Sequence, residues 1–489
     1  MYKYLAILYI RTINKNTFNN TSLMENKENI RYVLFLSIVA ALGGFLFGYD
    51  TAVISGTIKS VSLQFNLNEM QSGWYVGCAL LGSIGGVLFA GRISDIFGRK
   101  PVLFVAAVLF SSSAVGCMLA PNKDMLIFYR IIGGIGIGVA SVISPLYISE
   151  ISVTRYRGRL VSLYQLAVTV GFLGAYFINY ALQNHALYAH EDIVNGWQNI
   201  IFVSQVWRSM LGAEFFPALL FFFILFFIPE SPRWLLVKKR NGKSLSILTK
   251  IYGKHEAIVQ VNNIRKSLQK EQKSDWKLLL QHEFRIPLFI GISLAILGQF
   301  MGVNAVLYYG PGIFEQTGLS EGNSLFYQIF VGLINVISTI FAIWIIDKIG
   351  RKKLIYYGVS GMFISLVLIG FYFLINNAET VVPPVTLLIL ILIYIFCCAI
   401  SICVVIWVLL SEMYPTQIRG AAMSIAGFSL WIGTYLIGQL TPWLMSALSP
   451  MGVFWLFAIM CIPYLFITWK LVPETTGKSL EEIEQLWNE

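Results

Sequence analysis

Apolar runs long enough to cross a bilayer recur through most of the chain, separated by short polar segments. Each run holds about 20 residues, the length that a helix needs to span the roughly 30 Å hydrocarbon core of a membrane. The predicted spans, numbered one to twelve in chain order, are 32–57, 73–94, 101–120, 125–148, 160–182, 211–228, 287–312, 325–346, 353–375, 385–410, 421–444 and 452–472. The pattern predicts an all-α membrane protein with twelve transmembrane helices.

Composition agrees with this class and excludes an ordinary soluble protein. Of the 489 residues, 57% are hydrophobic and 12% are charged, whereas soluble domains carry about 25% charged residues. The formal net charge of +10 does not indicate a nucleic-acid partner, because Lys and Arg lie in short blocks between the apolar runs. The six cysteines fall inside apolar runs without the spacing of metal ligands, so we expect core residues and no metal site.

The positive blocks predict the orientation of the spans. Lys and Arg cluster after spans two, four, eight and ten and between spans six and seven, and such segments stay in the cytoplasm. Both termini are therefore expected to be cytoplasmic. The predicted division is a cytoplasmic N-terminal segment over 1–31, a six-helix bundle over 32–228, a cytoplasmic central loop over 229–286, a second six-helix bundle over 287–472 and a cytoplasmic tail over 473–489.

Residues 1–23 do not fit a signal peptide, and Met24, which opens a polar stretch, is the expected true start.

Three short motifs recur in the same order in the two halves, roughly 250 residues apart. They are D-x-x-G-R-K at 95–100 and 347–352, S-E at 149–150 and 411–412 with R-G at 157–158 and 419–420, and P-E at 229–230 and 473–474. The halves are therefore predicted to be pseudo-symmetric copies of one six-helix unit. Such parallel repeats are typical of transporters that hold their substrate between the halves.

Seven motifs in order resemble those of the sugar porter family of the major facilitator superfamily, most closely its bacterial D-xylose–proton symporters. They are G-Y-D-T-A-V-I-S-G (48–56), G-R-x-S-D-x-x-G-R-K (91–100), Y-R-I-I-G-G-I-G-I-G (129–138), P-E-S-P-R-W-L (229–235), Q-F-x-G-x-N-x-x-x-Y-Y (299–309), W-V-L-L-S-E (407–412) and P-E-T-x-G-K-S-L-E-E-I-E (473–484). The resemblance implies the major facilitator fold and proton-coupled uptake of a monosaccharide by alternating access.

Asp50 is a carboxylate within an apolar run, where a charged side chain is costly and by default indicates a function. Arg130, inside span four, is its natural counter-charge; the alternative is that Asp50 lies in water at the membrane edge. The resemblance implies that Asp50 carries the coupled proton, since facilitative members usually have an amide there. It also implies that Glu214 is the third charge of this network, with an ordinary salt bridge as the alternative.

Sugar binding calls for amides, which both donate and accept hydrogen bonds, and for aromatic faces. The candidates, supported by the resemblance, are Phe47, Gln165, Gln299, Asn304, Tyr308, Asn335, Trp407 and Trp431. The alternatives are interhelical hydrogen bonds for the amides and lipid or core packing for the tryptophans. Because Gln299 and Asn304 lie about 140° apart on an ideal helix, they can face one sugar only if the helix unwinds, at Gly302 or at 310–312.

Charged residues duplicated at the predicted cytoplasmic ends of the spans form the last candidate group. They are Asp95, Arg99, Glu150, Arg157, Asp347, Arg351, Glu412 and Arg419. Taken singly, each is a solvated charge that sets topology. The resemblance implies a salt-bridge cluster that closes the cytoplasmic side when the cavity faces out, with Glu150/Arg157 and Glu412/Arg419 as its duplicated pairs.

Three departures from the family pattern affect the substrate site. Gly298 and Leu430 stand where proton-coupled members have glutamines, and Cys403-Val404 replaces a Gly-Pro in span ten. The identity of the sugar therefore does not follow from the resemblance, and the flexible break in span ten is in question.

The sequence as a whole predicts a proton-coupled monosaccharide symporter in the bacterial inner membrane, working as a monomer without a cofactor or metal. Its predicted partners are the sugar, the proton and the lipid bilayer, with no nucleic acid. The alternatives are a facilitative uniporter and a non-transporting sugar sensor. An enzyme is disfavoured, because the spans hold no set of metal ligands and no Ser/Lys dyad.

Overall fold

The computed structural model describes residues 28–188, 196–270, 281–376, 382–414 and 418–474, and these ranges contain helices but no strand. The predictions for residues 1–23, for Met24 and for the tail beyond 474 lie outside the described residues. The side chain of Asp347 also lies outside them.

The first half contains spans one to six. Its helices are Ile30–Val53 with a 3₁₀ turn Ile54–Gly56, the short helix Ile58–Gln64, then Glu69–Phe97, Arg99–Leu119, Lys123–Ile151 and Arg157–Tyr188. Span six consists of Val206–Gly212, Phe215–Ile224 and the 3₁₀ turn Leu225–Phe227. A helical turn, Trp197–Asn199, and a π segment, Ile200–Ser204, precede it. A central segment follows with the helices Pro232–Val237, Asn241–Tyr252 and Lys254–Lys270.

The second half contains spans seven to twelve. Span seven is His282–Phe300 and Val303–Glu315, and spans eight and nine are Glu321–Ile349 and Arg351–Asn376. Span ten is Pro384–Cys398, a π segment Ala399–Cys403 and Val404–Met413. Spans eleven and twelve are contained in Arg419–Lys470.

The described residues hold 11 helices long and apolar enough to cross a membrane, and the last of these contains two spans. Ser449, with φ 59° and ψ 164°, interrupts the helical conformation inside Arg419–Lys470. The backbone turns at this residue because left-handed φ is incompatible with a continuing helix. All twelve predicted spans are therefore present, and the prediction of an all-α fold is confirmed.

Small residues let the spans of one half approach closely. A Cβ at Gly86 of span two would lie 2.4 Å from the carbonyl oxygen of Ile135, and one at Gly138 of span four would lie 2.2 Å from that of Ser83. Such spacing is shorter than real side-chain contacts, so these positions require glycine. Close helix approach of this kind is how spans associate in lipid, where the apolar solvent supplies no hydrophobic drive.

The two halves meet at one end of the molecule. We call the end that carries Ile30 and Lys470 the terminal face and the other end the distal face. Toward the distal face, Gln439 Nε2 donates to the carbonyl oxygen of Met70 at 2.9 Å, and Tyr176 Oη donates to that of Leu307 at 2.8 Å. At the terminal face, by contrast, a Cβ at 158 or 420 would meet no atom within 4 Å. The halves are thus in contact toward the distal face, and positions 158 and 420, in the first turns of spans five and eleven, have open space around them.

Candidate functional site

A buried ion pair joins spans one and four. Asp50 is 1% exposed and Arg130 is 2% exposed, and Arg130 Nη1 donates to Asp50 Oδ1. The same nitrogen lies 3.4 Å from the backbone carbonyl oxygen of Asp50. Burial excludes the alternative that Asp50 sits in water at the membrane edge in this conformation. A charge this deep persists only with a partner, which is the role that the guanidinium fills.

Glu214 is a second buried carboxylate in the same group. It lies between the two helices of span six, is 2% exposed, and is within electrostatic reach of Asp50 and Arg130. Within the described part of the chain, Asp50 Oδ2, Glu214 Oε1 and Arg130 Nε have no hydrogen-bond partner. Arg130 thus pairs with Asp50, Glu214 is a second buried carboxylate nearby, and unfilled hydrogen-bonding positions remain on all three groups.

Span four can approach this group because it carries a glycine there. A Cβ at Gly133 would lie 2.9 Å from Asp50 Oδ2 and 2.5 Å from Ser113 Oγ. The glycine-rich run at 129–138 thus positions the arginine beside the carboxylate.

Two predicted sugar-binding amides contact each other across a helix break. Asn304 Nδ2 donates to Gln299 Oε1 at 2.7 Å. The helix that carries Gln299 ends at Phe300, and the helix that carries Asn304 begins at Val303 after Gly302, whose φ of +86° is left-handed. Glycine adopts this conformation without strain. Of the two positions predicted for unwinding, the break is at Gly302, whereas 310–312 stay helical.

Thr434 of span eleven completes this polar group. Its Oγ1 lies 3.1 Å from Gln299 Oε1 and 2.9 Å from the carbonyl oxygen of Leu430. Sequence reasoning missed it, because a threonine inside a span usually bonds only the carbonyl four residues before it. No signal in the sequence alone connects Thr434 with Gln299.

Aromatic rings from opposite halves face each other beside these groups. The ring centroids of Phe47 in span one and Trp431 in span eleven are 5.8 Å apart, with an interplanar angle of 37°. Trp431 is 7% exposed, whereas Trp407 of span ten is 40% exposed. One predicted aromatic pair is therefore packed between the halves and the other tryptophan is open.

The remaining predicted sugar-binding residues lie on spans five, seven and eight. Asn335 is 8% exposed, Tyr308 is 2% exposed and Gln165 is half-buried. Across the described ranges, no hydrogen bond engages the side chains of Gln165 and Asn335. Their amides keep both donors and acceptors for another group.

The duplicated charges at the terminal face form ion pairs within each half. Arg99 donates to Glu150 through Nε and Nη2, both at 3.0 Å, and to Asp95 through Nη1 at 3.0 Å. In the second half, Arg351 Nη2 donates to Glu412 Oε1 at 3.1 Å.

In this conformation Glu150 pairs with Arg99 rather than Arg157, and the cluster expected when the cavity faces out stays a prediction. Arg99 already occupies both oxygens of Glu150, and the Arg157 side chain is exposed. Arg419 Nε donates to the carbonyl oxygen of Tyr414 at 3.1 Å.

In each half, the glutamate of the Pro-Glu motif joins the start of the third span to the segment after the sixth. Glu230 accepts from the backbone N–H groups of Arg99 at 2.9 Å and Ser231 at 2.7 Å, and Lys100 Nζ donates to the carbonyl oxygen of Ile228 at 2.7 Å. Burial raises the pKa of Glu230, and the backbone donors only partly offset this.

The second half repeats this arrangement. Arg351 N donates to Glu474 at 3.3 Å, and Lys352 Nζ donates to the carbonyl oxygen of Val472 at 2.8 Å. The start of the third span of each half is thereby tied to the end of its sixth.

Span ten keeps an irregular segment despite its departure from the family pattern. Residues Ala399–Cys403 form a π segment between two α-helices. Such a bulge loosens the regular hydrogen-bond ladder of a helix without glycine or proline. Span ten is therefore irregular at this position without the Gly-Pro pair of the family pattern.

Comparisons with known proteins agree with this arrangement. The family described as sugar (and other) transporter matches residues 36–487. The arabinose-proton symporter of Bacillus subtilis (strain 168) is 38% identical over 466 residues, which cover 95% of this chain and 97% of that protein. The D-xylose-proton symporter of Escherichia coli (strain K12) is 38% identical over 497 residues, with the same coverage of 95% and 97%.

Among solved structures, the inward open conformation of the xylose transporter XylE from E. coli matches with a TM-score of 0.79. The identity is 36%, and the match covers 93% of this chain and 100% of that one. The predicted major facilitator fold, with two six-helix bundles, is confirmed. The protein is a multi-pass membrane transporter rather than an enzyme, and it belongs to the sugar (and other) transporter family.

Proposed function

We propose that this chain is a proton-coupled monosaccharide symporter in which Asp50 carries the proton. The buried group of Asp50, Arg130 and Glu214 is the observation that carries the proposal. The names of the arabinose-proton and D-xylose-proton symporters support both the proton and the sugar.

Protonation couples to conformation through the cost of burying charge. With both carboxylates ionised, the group has a net negative charge in a buried site, which is unfavourable. A proton on Asp50 removes that charge and weakens its bond to Arg130. When the cavity opens to water, hydration and the guanidinium favour the ionised carboxylate and the proton leaves. A proton bound in one orientation and released in the other links its movement to that of the transporter.

The sugar lies between the halves in this proposal. Gln299 and Asn304 supply one polar wall, and Gln165 and Asn335 supply amides that are not engaged elsewhere within the described residues. Phe47 and Trp431, one from each half, cover the ring of the sugar. Tyr308 and Trp407 complete the set of proposed contacts.

The orientation follows from the distribution of positive charge. The terminal face carries the Lys- and Arg-rich segments, including the central segment, so we place it and both termini in the cytoplasm of a bacterial cell. The distal face is then outside. Because the halves are closed at the distal face, the chain is in an inward-facing conformation, in keeping with its likeness to the inward open xylose transporter.

The residues of the terminal face act as the inner gate in this scheme. In the present conformation the ion pairs Arg99–Glu150 and Arg351–Glu412 each join cytoplasmic span ends of one half. When the cavity opens outward, these ends approach one another and exchange partners across the halves, together with Asp95, Arg157, Asp347 and Arg419. The moving units are the bundles 32–228 and 287–472, joined by 229–286, and one chain suffices for the cycle.

Transport in proteoliposomes tests the proposal. With labelled D-xylose or L-arabinose, an inward proton gradient drives accumulation by the unmodified protein, whereas Asp50→Asn abolishes it and retains sugar counterflow. Asp124→Asn, which changes an exposed carboxylate of span four, is the matched control and accumulates sugar normally. Accumulation by Asp50→Asn overturns the role of Asp50. Counterflow without gradient-driven accumulation in the unmodified protein identifies a uniporter instead, and absence of counterflow with a panel of monosaccharides overturns sugar transport.

A further inference from the structure

The π segment of span ten brings two thiols together. Cys398 Sγ and Cys403 Sγ are 3.7 Å apart. Residues five apart in an α-helix lie about 140° from each other around the axis, so a regular helix keeps such side chains on different faces. The wider π turn pairs residues i and i+5, and here it extends over Ala399–Cys403. The thiol pair therefore depends on the π register.

The two thiols differ in their access to small reagents. Cys398 is 1% exposed, whereas Cys403 is half-buried. The nearest other cysteines are engaged elsewhere. A Cβ at Gly361 would lie 2.5 Å from Cys397 Sγ, and Cys461 Sγ lies 3.6 Å from the carbonyl oxygen of Phe457. Cys398 and Cys403 thus form a separate pair with one accessible member.

We propose that Cys398 and Cys403 are an oxidation site, a dithiol that hydrogen peroxide converts to a disulfide while span ten holds its π register. The reducing cytoplasm keeps the pair as thiols at rest, and peroxide is small enough to reach Cys403. The sulfur atoms have to approach from 3.7 Å to the S–S bond length of about 2.05 Å.

The reaction balances with peroxide as the oxidant. The Cys403 thiolate attacks one peroxide oxygen, the O–O bond breaks, and the departing hydroxide takes up a proton to leave as water. The resulting sulfenic acid is attacked at sulfur by Cys398, the S–O bond breaks, and its oxygen leaves as a second water with the Cys398 proton. Two thiols lose two hydrogen atoms, and one peroxide becomes two waters.

The disulfide locks a segment that touches the break in span seven. A Cβ at Gly298, directly before Gln299, would lie 3.3 Å from Ile402 Cγ2 in the π segment. Tyr394, one turn before that segment, donates its hydroxyl to the carbonyl oxygen of Met301 at 2.7 Å. A covalent bond from 398 to 403 prevents the segment from returning to an α-helical register. Transport then stops, a consequence that rests on the proposed function, whereas formation of the disulfide does not.

Peroxide treatment of the purified full-length protein in proteoliposomes tests the site. After treatment, denaturation and alkylation, peptide mass spectrometry is expected to find Cys398 and Cys403 joined and unavailable to the alkylating reagent, with Cys78 and Cys117 still alkylated. Dithiothreitol restores alkylation of both. Cys403→Ser and Cys398→Ser each lose the bridge, and Cys78→Ser, which changes a buried cysteine of the other half, retains it.

Transport by the same samples separates the two parts of the proposal. Peroxide abolishes sugar counterflow in the unmodified protein and in Cys78→Ser, dithiothreitol restores it, and Cys403→Ser is resistant. A bridge that forms without loss of counterflow overturns the lock and leaves the proposed symport intact. Absence of the bridge in protein that transports normally overturns the oxidation site itself.

Discussion

Lys59 of the first half binds Glu315 of the second half directly, with 2.9 Å between Nζ and Oε2. A second carboxylate, Glu321, lies 3.5 Å from the same nitrogen. These contacts lie at the distal face, where a cavity of about 300 Å³ is bordered by all three side chains. One cation therefore holds the ends of spans seven and eight against the end of span one.

Removing this cation is expected to favour opening of the distal face. The Lys59 side chain is 48% exposed, and exposed pairs stabilise by about 0–1 kcal/mol, so Lys59→Ala shifts the balance of conformations at most about fivefold. Alkylation of a cysteine placed at Ser55, a buried residue that borders the same cavity, reports the opening from outside. Lys123→Ala, which changes an exposed lysine at the same face, is the control, and equal labelling rates in all three proteins contradict the prediction.

The same contact predicts a pH dependence. Partial burial lowers the pKa of Lys59, but the hydrogen bonds and charges of Glu315 and Glu321 outweigh it and raise the pKa above its ordinary value. A cation with a raised pKa stabilises the closed distal face at neutral pH, and the stabilisation is lost as the pH rises through that pKa. The labelling rate at Ser55 is divided by the rate of a cysteine placed at the exposed Gly312, because alkylation of any thiol speeds up as the thiol ionises. This ratio therefore rises at strongly alkaline pH when Lys59 is present. It stays flat in Lys59→Ala if this lysine is responsible.

Gly73 is expected to decide whether the distal face can close. A Cβ there would lie 1.9 Å from the carbonyl oxygen of Gln439, and backbone cannot move aside as a flexible side chain can. Gly73→Leu therefore holds the halves apart distally and abolishes counterflow, while sugar still binds from outside. A Cβ at Gly85 in the same span would meet no atom within 4 Å, so Gly85→Leu should transport normally. Normal counterflow by Gly73→Leu would show that the closed contact is dispensable.

Thr434 is expected to position Gln299 for the sugar. Thr434→Val keeps the shape of the side chain and removes one neutral hydrogen bond, worth about 0.5–1.5 kcal/mol. Sugar affinity then falls by about 2- to 13-fold in isothermal titration, while Thr434→Ser retains most of it. Unchanged affinity in both variants would mean that Asn304 alone orients the glutamine.

Leu430→Gln is expected to strengthen xylose binding, because it restores an amide beside Trp431. Leu430 is half-buried and leaves room for the exchange, whereas a side chain at Gly298 would begin 3.3 Å from Ile402. A gain of one hydrogen bond corresponds to about 0.5–1.5 kcal/mol. Titration with xylose, glucose, galactose and arabinose gives the measurement, and Leu430→Met serves as the apolar control. Equal xylose affinity in all three proteins indicates that water already fills this position.

The sequence predicts those parts of the molecule that local patterns determine. Apolar length alone identifies twelve spans, and the buried position of Asp50 follows from a lone carboxylate among apolar residues. The sequence also predicts that the helix unwinds to bring Gln299 and Asn304 together. It does not predict that the break lies at Gly302 rather than at 310–312, because the position depends on contacts with the neighbouring span, such as the hydrogen bond from Tyr394 to the carbonyl oxygen of Met301.

Features that depend on the approach of distant segments were not predictable in this way. Glu150 pairs with Arg99, 51 positions away, rather than with the nearer Arg157, because the turn between spans two and three brings the guanidinium against span four. Thr434 reaches Gln299 only because spans seven and eleven pack closely. The π segment of span ten forms without the Gly-Pro pair of the family pattern, and no local pattern in the sequence predicts it.

The contacts of Glu230 with Arg99 and of Lys100 with Ile228 have a consequence for biosynthesis. They close a ring from span three to span six using residues that are all translated before the second half begins. The first half can therefore form the hydrogen bonds between its third and sixth spans in the absence of the second half. As N-terminal units generally fold first during synthesis, it can assemble in the membrane while the ribosome is still translating span seven.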